Sequence, residues 1–260
     1  MSVRFVIRTF SALAAGAMLF VPVSAFAQDD KTEVDIAPLY LWAARNAGHV
    51  AIDNKTVPFF MDFRDATKHL AGAFALHGEV RHGRWGVIGD VNFIRLSTDA
   101  NFTTPIVGVP VTGTGKVDTV IFEGGASYLV NRAAGLALIG GVRTYTLSPR
   151  FEFADSRVTA IDVSKTSVSG FGGFIYRPQL RGNTRFLSRA DIGGGTAFTW
   201  SATLGLEYQP KTWIGLMAGY RALGLDTGSV ARSGPVVKTL ASTITQYGPI
   251  FSANFHWKQK

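Results

Sequence analysis

The chain has 260 residues and no cysteine, which removes disulfides and thiolate metal centres from consideration. Its formal charge is +8, yet no basic cluster interleaved with stacking aromatics occurs, so nucleic-acid binding has no footprint. Hydrophobic residues make up 47% and charged ones only 17%, but past the N-terminus no apolar run approaches the roughly 18 residues of a membrane-spanning helix.

The N-terminus reads MSVRFVIRTFSALAAGAMLFVPVSAFAQDD. Arg4 and Arg8 form a positive region, Ser11 to Val23 an apolar one, and Ala25-Phe26-Ala27 a small-x-small cleavage site. This pattern predicts a secretory signal peptide over 1–27, cut near Ala27, with a single domain over 28–260. Without Arg4 and Arg8, 24 basic residues stand against 18 acidic ones, a formal +6. For an exported chain that balance points to lipopolysaccharide and anionic lipid headgroups rather than nucleic acid.

The rest of the sequence alternates with period two, broken by Gly, Asn and Pro. Ten strands are predicted, over about 34–44, 69–81, 85–97, 116–129, 135–148, 168–178, 185–194, 198–208, 212–223 and 243–257. Most have the ten or so residues that cross a bilayer at a tilt. Tight turns are expected at Arg81 to Arg84, Val130 to Arg132 and Gln209 to Thr212, with a slightly longer one at Gln179 to Thr184. Longer loops fall over 45–68, 98–115, 149–167 and 224–242. Short and long connections in alternation are those of outer-membrane barrels, with short periplasmic turns and longer external loops. Gly193-Gly194-Gly195-Thr196 interrupts the alternation, either as a short external hairpin or as a sign that the count of ten is too high.

The two faces of the strands differ. In 198–208, Trp200, Ala202, Leu204, Leu206 and Tyr208 oppose Thr199, Ser201, Thr203, Gly205 and Glu207. In 135–148, Leu136, Leu138 and Val142 oppose Gly141, Arg143 and Tyr145. A soluble sandwich also alternates, but the polar face is nearly free of lysine, which a water-exposed sheet would carry. A narrow lumen prefers small residues and Arg–carboxylate forks, because an unpaired buried charge is costly. The lumen ion-pair candidates are Glu79, Arg81, Asp90, Glu123, Arg143, Arg189, Asp191, Glu207 and Arg221, with Tyr145. Arg143, Arg189 and Arg221 are expected to pair with Glu123, Asp191 and Glu207. Aromatics near strand ends suit the membrane interface: Tyr40, Trp42, Trp85, Tyr128, Trp200, Tyr208, Trp213, Tyr220 and Trp257.

The blocks EVRHGRWGVIGDVNFIRL (79–96), GGVRTYTL (140–147) and SRADIGGGTAFTWSATLGLEYQPKTWIGLMAGYRALGLD (188–226) resemble the OmpA-like and OmpW-like outer-membrane β-barrel proteins of Gram-negative bacteria. The resemblance implies an all-β fold, a single closed antiparallel transmembrane β-barrel, with eight strands common in the family as the alternative to ten. It also implies an outer-membrane location and, as partners, outer-membrane lipid and the assembly machinery that reads a terminal aromatic. Here Trp257 is followed by Lys258-Gln259-Lys260. The last strand is expected to close against the first, with Phe251, Phe255 and Trp257 toward lipid and Asn254 and His256 toward the lumen.

Catalytic signals are weak. His49, Asp53, Asp62, Asp65 and His69 fall in or beside the first long loop, without the spacing of a hydrolase or a metal site. A small hairpin around Asp53-Asn54-Lys55 is one reading of that loop. GGGTAF (193–198) and SGFGGF (169–174) lack the Lys and Ser/Thr of a phosphate loop. Residues 98–115 read as an ordinary variable loop more readily than as a β-rich lobe. The expectation is therefore a non-enzymatic barrel without cofactor or metal, serving surface contact or envelope integrity. A narrow small-solute channel and a rim hydrolase of lipid or peptide are the alternatives. Neither the ligand nor the oligomeric state is written in the sequence.

Overall fold

The computed structural model describes residues 31–52, 55–103, 110–153, 161–162, 164–231 and 239–259; the expected signal peptide and Asp53 lie outside them. The elements in chain order are β1 (Thr32–Trp42), β2 (Arg45–Ile52), β3 (Lys55–Met61), α1 (Phe63–Lys68), β4 (Leu70–His82), β5 (Trp85–Thr103) and β6 (Pro110–Asn131). They continue with β7 (Leu136–Phe153), the two-residue β8 (Ile161–Asp162), β9 (Lys165–Tyr176), β10 (Thr184–Gly195), β11 (Phe198–Lys211), β12 (Ile214–Ala231) and β13 (Thr239–Gln259).

Ten of these strands form a closed antiparallel wall in the order β1-β4-β5-β6-β7-β9-β10-β11-β12-β13, and β13 returns to β1. Closure leaves the wall without a terminal strand, as lipid requires of any spanning sheet. The count of ten holds because β10 and β11 are joined by a bend at Thr196-Ala197, a short hairpin in place of a long loop. At the other end of the barrel, Gly83, Gly135 and Gly182 adopt φ of 63°, 66° and 64°. That left-handed conformation costs glycine little, and it lets the chain reverse within a few residues.

The expected long loops prove to be largely strand. β5 and β6 stay paired from Trp85 with Tyr128 as far as Thr103 with Pro110, so most of 98–115 belongs to a hairpin rather than a variable loop. β12 and β13 likewise pair out to Ala231 with Thr239. A bilayer needs only about 9–11 residues of tilted strand. The surplus on β5 and β6 therefore projects roughly 30 Å along the strand beyond the apolar band, at about 3.3 Å per residue. Residues 45–52 and 55–61 pair as β2 and β3, which prolong the wall by pairing β2 with β13.

Lateral closure is uneven. β1 pairs with β4 only from Thr32 with His82 to Ala37 with His77. Beyond that point β1 stays with β13 alone, and α1 sits between the end of β3 and the start of β4.

Candidate functional site: a charged layer inside the barrel

Alternate residues point inward, and the deepest of them carry charge. Arg143 on β7 and Glu123 on β6 are opposite in register and each is 1% exposed. Glu123 Oε1 accepts from Arg143 Nε at 2.9 Å and from Arg221 Nη2 at 3.0 Å, and its Oε2 accepts from Arg189 Nη2 at 2.6 Å. Asp191 accepts from Arg143 Nη2 at 2.7 Å and from Arg189 Nε at 3.0 Å. Arg221 also lies 3.6 Å from Asp90 and donates to the Tyr40 hydroxyl at 2.5 Å. Three guanidiniums thus face three carboxylates in a neutral layer spanning β5, β6, β7, β10 and β12. Asn92 donates to Asp90, His77 Nδ1 lies 3.3 Å from it, and Thr199 accepts from Arg143 at 3.3 Å. Such satisfaction is what makes buried charge tolerable.

Aromatic faces cover the cations from both sides. The Phe171 ring lies 5.0 Å from Arg143 and 5.6 Å from Arg189, and Trp42 lies 4.9 Å from Arg221. Phe171 belongs to a cluster with Ile88, Ile139 and Ile175, and Trp42 to one with Ile121, Leu223 and Ile250; Leu187 packs against both. At this depth apolar and charged groups stack on one another in the interior.

A second cluster lies near the short turns. His256 on β13 stands between Glu207, at 2.7 Å from its Nε2, and Asp35, which its Nδ1 contacts. Arg185 donates to Glu207 at 2.8 Å, and Arg177 to Glu79 at 2.5 Å. Gly215 faces this cluster; a Cβ there would collide with the Glu207 carboxylate. The room for the ion pair exists because residue 215 has no side chain.

The predicted residues thus fall in several places. Glu123, Arg143, Arg189, Asp191 and Arg221 come together, joined by Asp90. Glu207 does not join them: it is two alternations away on β11 and pairs with Arg185 and His256. Glu79 pairs with Arg177, and Arg81 lies 3.3 Å from Glu33. Tyr145 is buried in the Trp42 cluster. Asp35, Arg177 and Arg185 join these clusters without being among the sequence candidates, although each shares its strand's inward parity.

Two of the interface aromatics are corrections. Tyr40 and Trp42 face the interior, where they meet Arg221. The pairing of β1 with β13 runs Ile36 with Phe255 and then Leu39 with Ala253, so a bulge inserts one residue at Ala37-Pro38. One extra residue exchanges the two faces of everything beyond it. Trp85, Tyr128, Tyr208, Trp213 and Trp257 do lie on the outside near the short turns, and Trp85 packs on Tyr128 with ring centroids 4.7 Å apart. Tyr220 is exposed on the outside of β12, and the outward Trp200 covers Gly224.

The acidic residues of the first connection serve α1. Asp62 Oδ1 accepts from the Asp65 amide at 2.8 Å as the N-cap, and Asp65 pairs with Lys68. The Lys68 ammonium holds the exposed Asp65 carboxyl below the usual carboxylate range. His69 is the C-cap, and His49 is exposed on the β2–β3 hairpin. Among the described residues no three His, Asp or Glu groups gather as metal ligands.

The outside is the inverse of the inside. Leu138, Ile192, Leu204, Leu206, Leu216 and Phe251 are each at least half exposed and ring the wall. Water-soluble monomers rarely expose contiguous apolar surface beyond a few hundred Å². A closed wall, apolar without and charged within, defines a transmembrane β-barrel.

No family model and no curated protein sequence matches the chain. Solved structures similar to it are outer-membrane barrels. The attachment invasion locus protein Ail of Yersinia pestis, in complex with a heparin analogue, is 13% identical over 88% of this chain and 100% of that one, with a TM-score of 0.39. The translocator domain of the autotransporter NalP from Neisseria meningitidis is 11% identical over 96% and 95%, TM-score 0.43. The outer membrane protease OmpT of Escherichia coli is 9% identical over 89% and 98%, TM-score 0.43. At such identities they say nothing of this chain's activity.

Proposed function

We propose that this is a non-enzymatic, non-conducting outer-membrane barrel that displays its long hairpins for surface contact and envelope integrity. It is exported by the signal peptide over 1–27, and its short turns face the periplasm. One observation carries the reading: the neutral layer of Arg143, Arg189 and Arg221 with Glu123, Asp191 and Asp90, in which Arg143, Arg221, Glu123, Asp191 and Asp90 are each no more than 4% exposed. A solute pathway would have to dismantle these pairs, and breaking one buried pair costs about 3–5 kcal/mol. The projecting hairpins β5–β6 and β12–β13 supply the contact surface. Purified barrel reconstituted in planar bilayers is expected to give no openings above background. Stepwise conductance at micromolar protein or below would replace this reading with the small-solute channel.

A further inference from the structure

The gap between β1 and β4 is the part of the wall that the closed-barrel description does not account for. Past Ala37 and His77, residues 38–42 of β1 and 70–76 of β4 have no backbone partner in each other. The depth of this gap is set by its neighbours. Phe74 and Leu76 pair with Phe93 and Val91, inside the outward apolar band. The exposed Arg95–Asp118 pair, at 2.7 Å, marks where charge first returns to the outer surface. The gap therefore begins at hydrocarbon depth, where an open sheet edge is not tolerated against lipid alone.

A cavity of about 930 Å³ passes through it, within the range of ligand pockets, some 300–1,000 Å³. Its lining includes both faces of the wall: Tyr40, Trp42 and Ala75 point inward, Leu41 and Phe74 outward, and it runs on over the outer face of β11, β12 and β13 at Leu206, Leu216 and Phe251. Toward the interior its lining includes Trp42, which covers Arg221 of the charged layer, with Asn92, Met217 and Ser252. α1 lies at the mouth with Phe63, Ala66 and Thr67 toward the cavity, and with Arg64 and the Asp65–Lys68 pair exposed on its other side.

We propose that this lateral pocket binds a membrane lipid with an anionic headgroup, one acyl chain entering between β1 and β4 to reach Trp42, the headgroup at Arg64 and Lys68. The pocket requires the barrel to sit in lipid and is independent of what the hairpins contact. The test uses the full barrel with its other four tryptophans replaced by phenylalanine, in vesicles containing phosphatidylglycerol brominated on its acyl chains. Trp42 alone is expected to be quenched nearly as strongly as a Trp85-only barrel, whose tryptophan faces lipid. An Ile88→Trp barrel with no other tryptophan is expected to be unquenched, since Ile88 is an inward residue behind an unbroken wall. Trp42 as protected as residue 88, with Trp85 quenched, overturns the pocket; an unquenched Trp85 overturns the membrane placement instead. Brominated phosphatidylcholine should quench Trp42 less at equal mole fraction, and equal quenching removes the headgroup contact. Should the tryptophan replacements prevent assembly, native mass spectrometry of the unmodified barrel is expected to retain one lipid that Ala75→Phe loses. A wild-type barrel free of lipid overturns the proposal.

Discussion

Arg143 makes three hydrogen bonds, to Glu123, Asp191 and Thr199, and lies over Phe171. Three of the five N–H donors of the guanidinium are thus bonded, and its plane lies against an aromatic ring. Removing it leaves Glu123 with Arg189 and Arg221 and leaves Asp191 with Arg189 alone. Arg143→Met is expected to cost about 3–5 kcal/mol, read as a lowered urea midpoint for the barrel in detergent micelles. Arg143→Met combined with Asp191→Leu restores neutrality and should recover a substantial part of that loss. A double variant whose loss equals the sum of the losses of Arg143→Met and Asp191→Leu measured singly would mean that the two groups are not coupled. Glu207 gives the contrasting lesson. Its charge and inward parity are legible in the sequence, but its partners are not, because register across four strands decides which layer a side chain enters. The approach of His256 to Glu207 also depends on Gly215, and nothing in a single sequence distinguishes a glycine that makes room from one that merely tolerates curvature.

At the scale of the strand, alternation carried most of the information. It places all ten wall strands and sorts their residues into lipid-facing and inward-facing sets wherever pairing is regular. It fails at the Ala37-Pro38 bulge, where the sequence contains a proline but not the statement that one extra residue is inserted there. Tyr40 and Trp42 therefore change sides and become partners of Arg221. Strand length departs from expectation for a different reason. Thr, Gly and Pro in 98–115 read as loop residues, but a two-stranded extension already held in register by the barrel below tolerates weak propensity. Where alternation is regular it makes a quantitative claim. Leu204 lies in the middle of β11 on the outside, 56% exposed, and Tyr208 lies four residues nearer the rim. Leu204→Arg is expected to cost about 2–4 kcal/mol, and Tyr208→Arg about 0–1 kcal/mol. Reversible unfolding into phospholipid bilayers measures both. Equal costs at the two depths would place Leu204 away from hydrocarbon.

For the whole molecule the question is where the wall is weakest. β5 pairs with β6 at 19 positions in one register, β12 with β13 at 16 across one irregularity past Asp226, and β1 with β4 at six. Stability in a closed barrel is shared around the ring, yet local opening follows local pairing. On the unpartnered side of β1 and β4 the amides of 39–42 and 70–76 that point across the gap have no partner in each other. Those of 86–94 on β5 are held by β4 on one side and β6 on the other. Hydrogen exchange followed by mass spectrometry in detergent micelles should therefore find peptides covering 38–42 and 70–76 exchanging well ahead of 86–94, with 77–82 intermediate. The order separates two causes. If the gap is an equilibrium feature of the folded wall, the fast phase appears at the earliest labelling times and does not depend on urea below the unfolding transition. If it forms only as the barrel begins to unfold, exchange in 38–42 and 70–76 rises with urea in step with 77–82. Protection of 38–42 equal to that of 86–94 would mean that β1 and β4 are bonded along their full length in the assembled barrel, and the side opening would not exist.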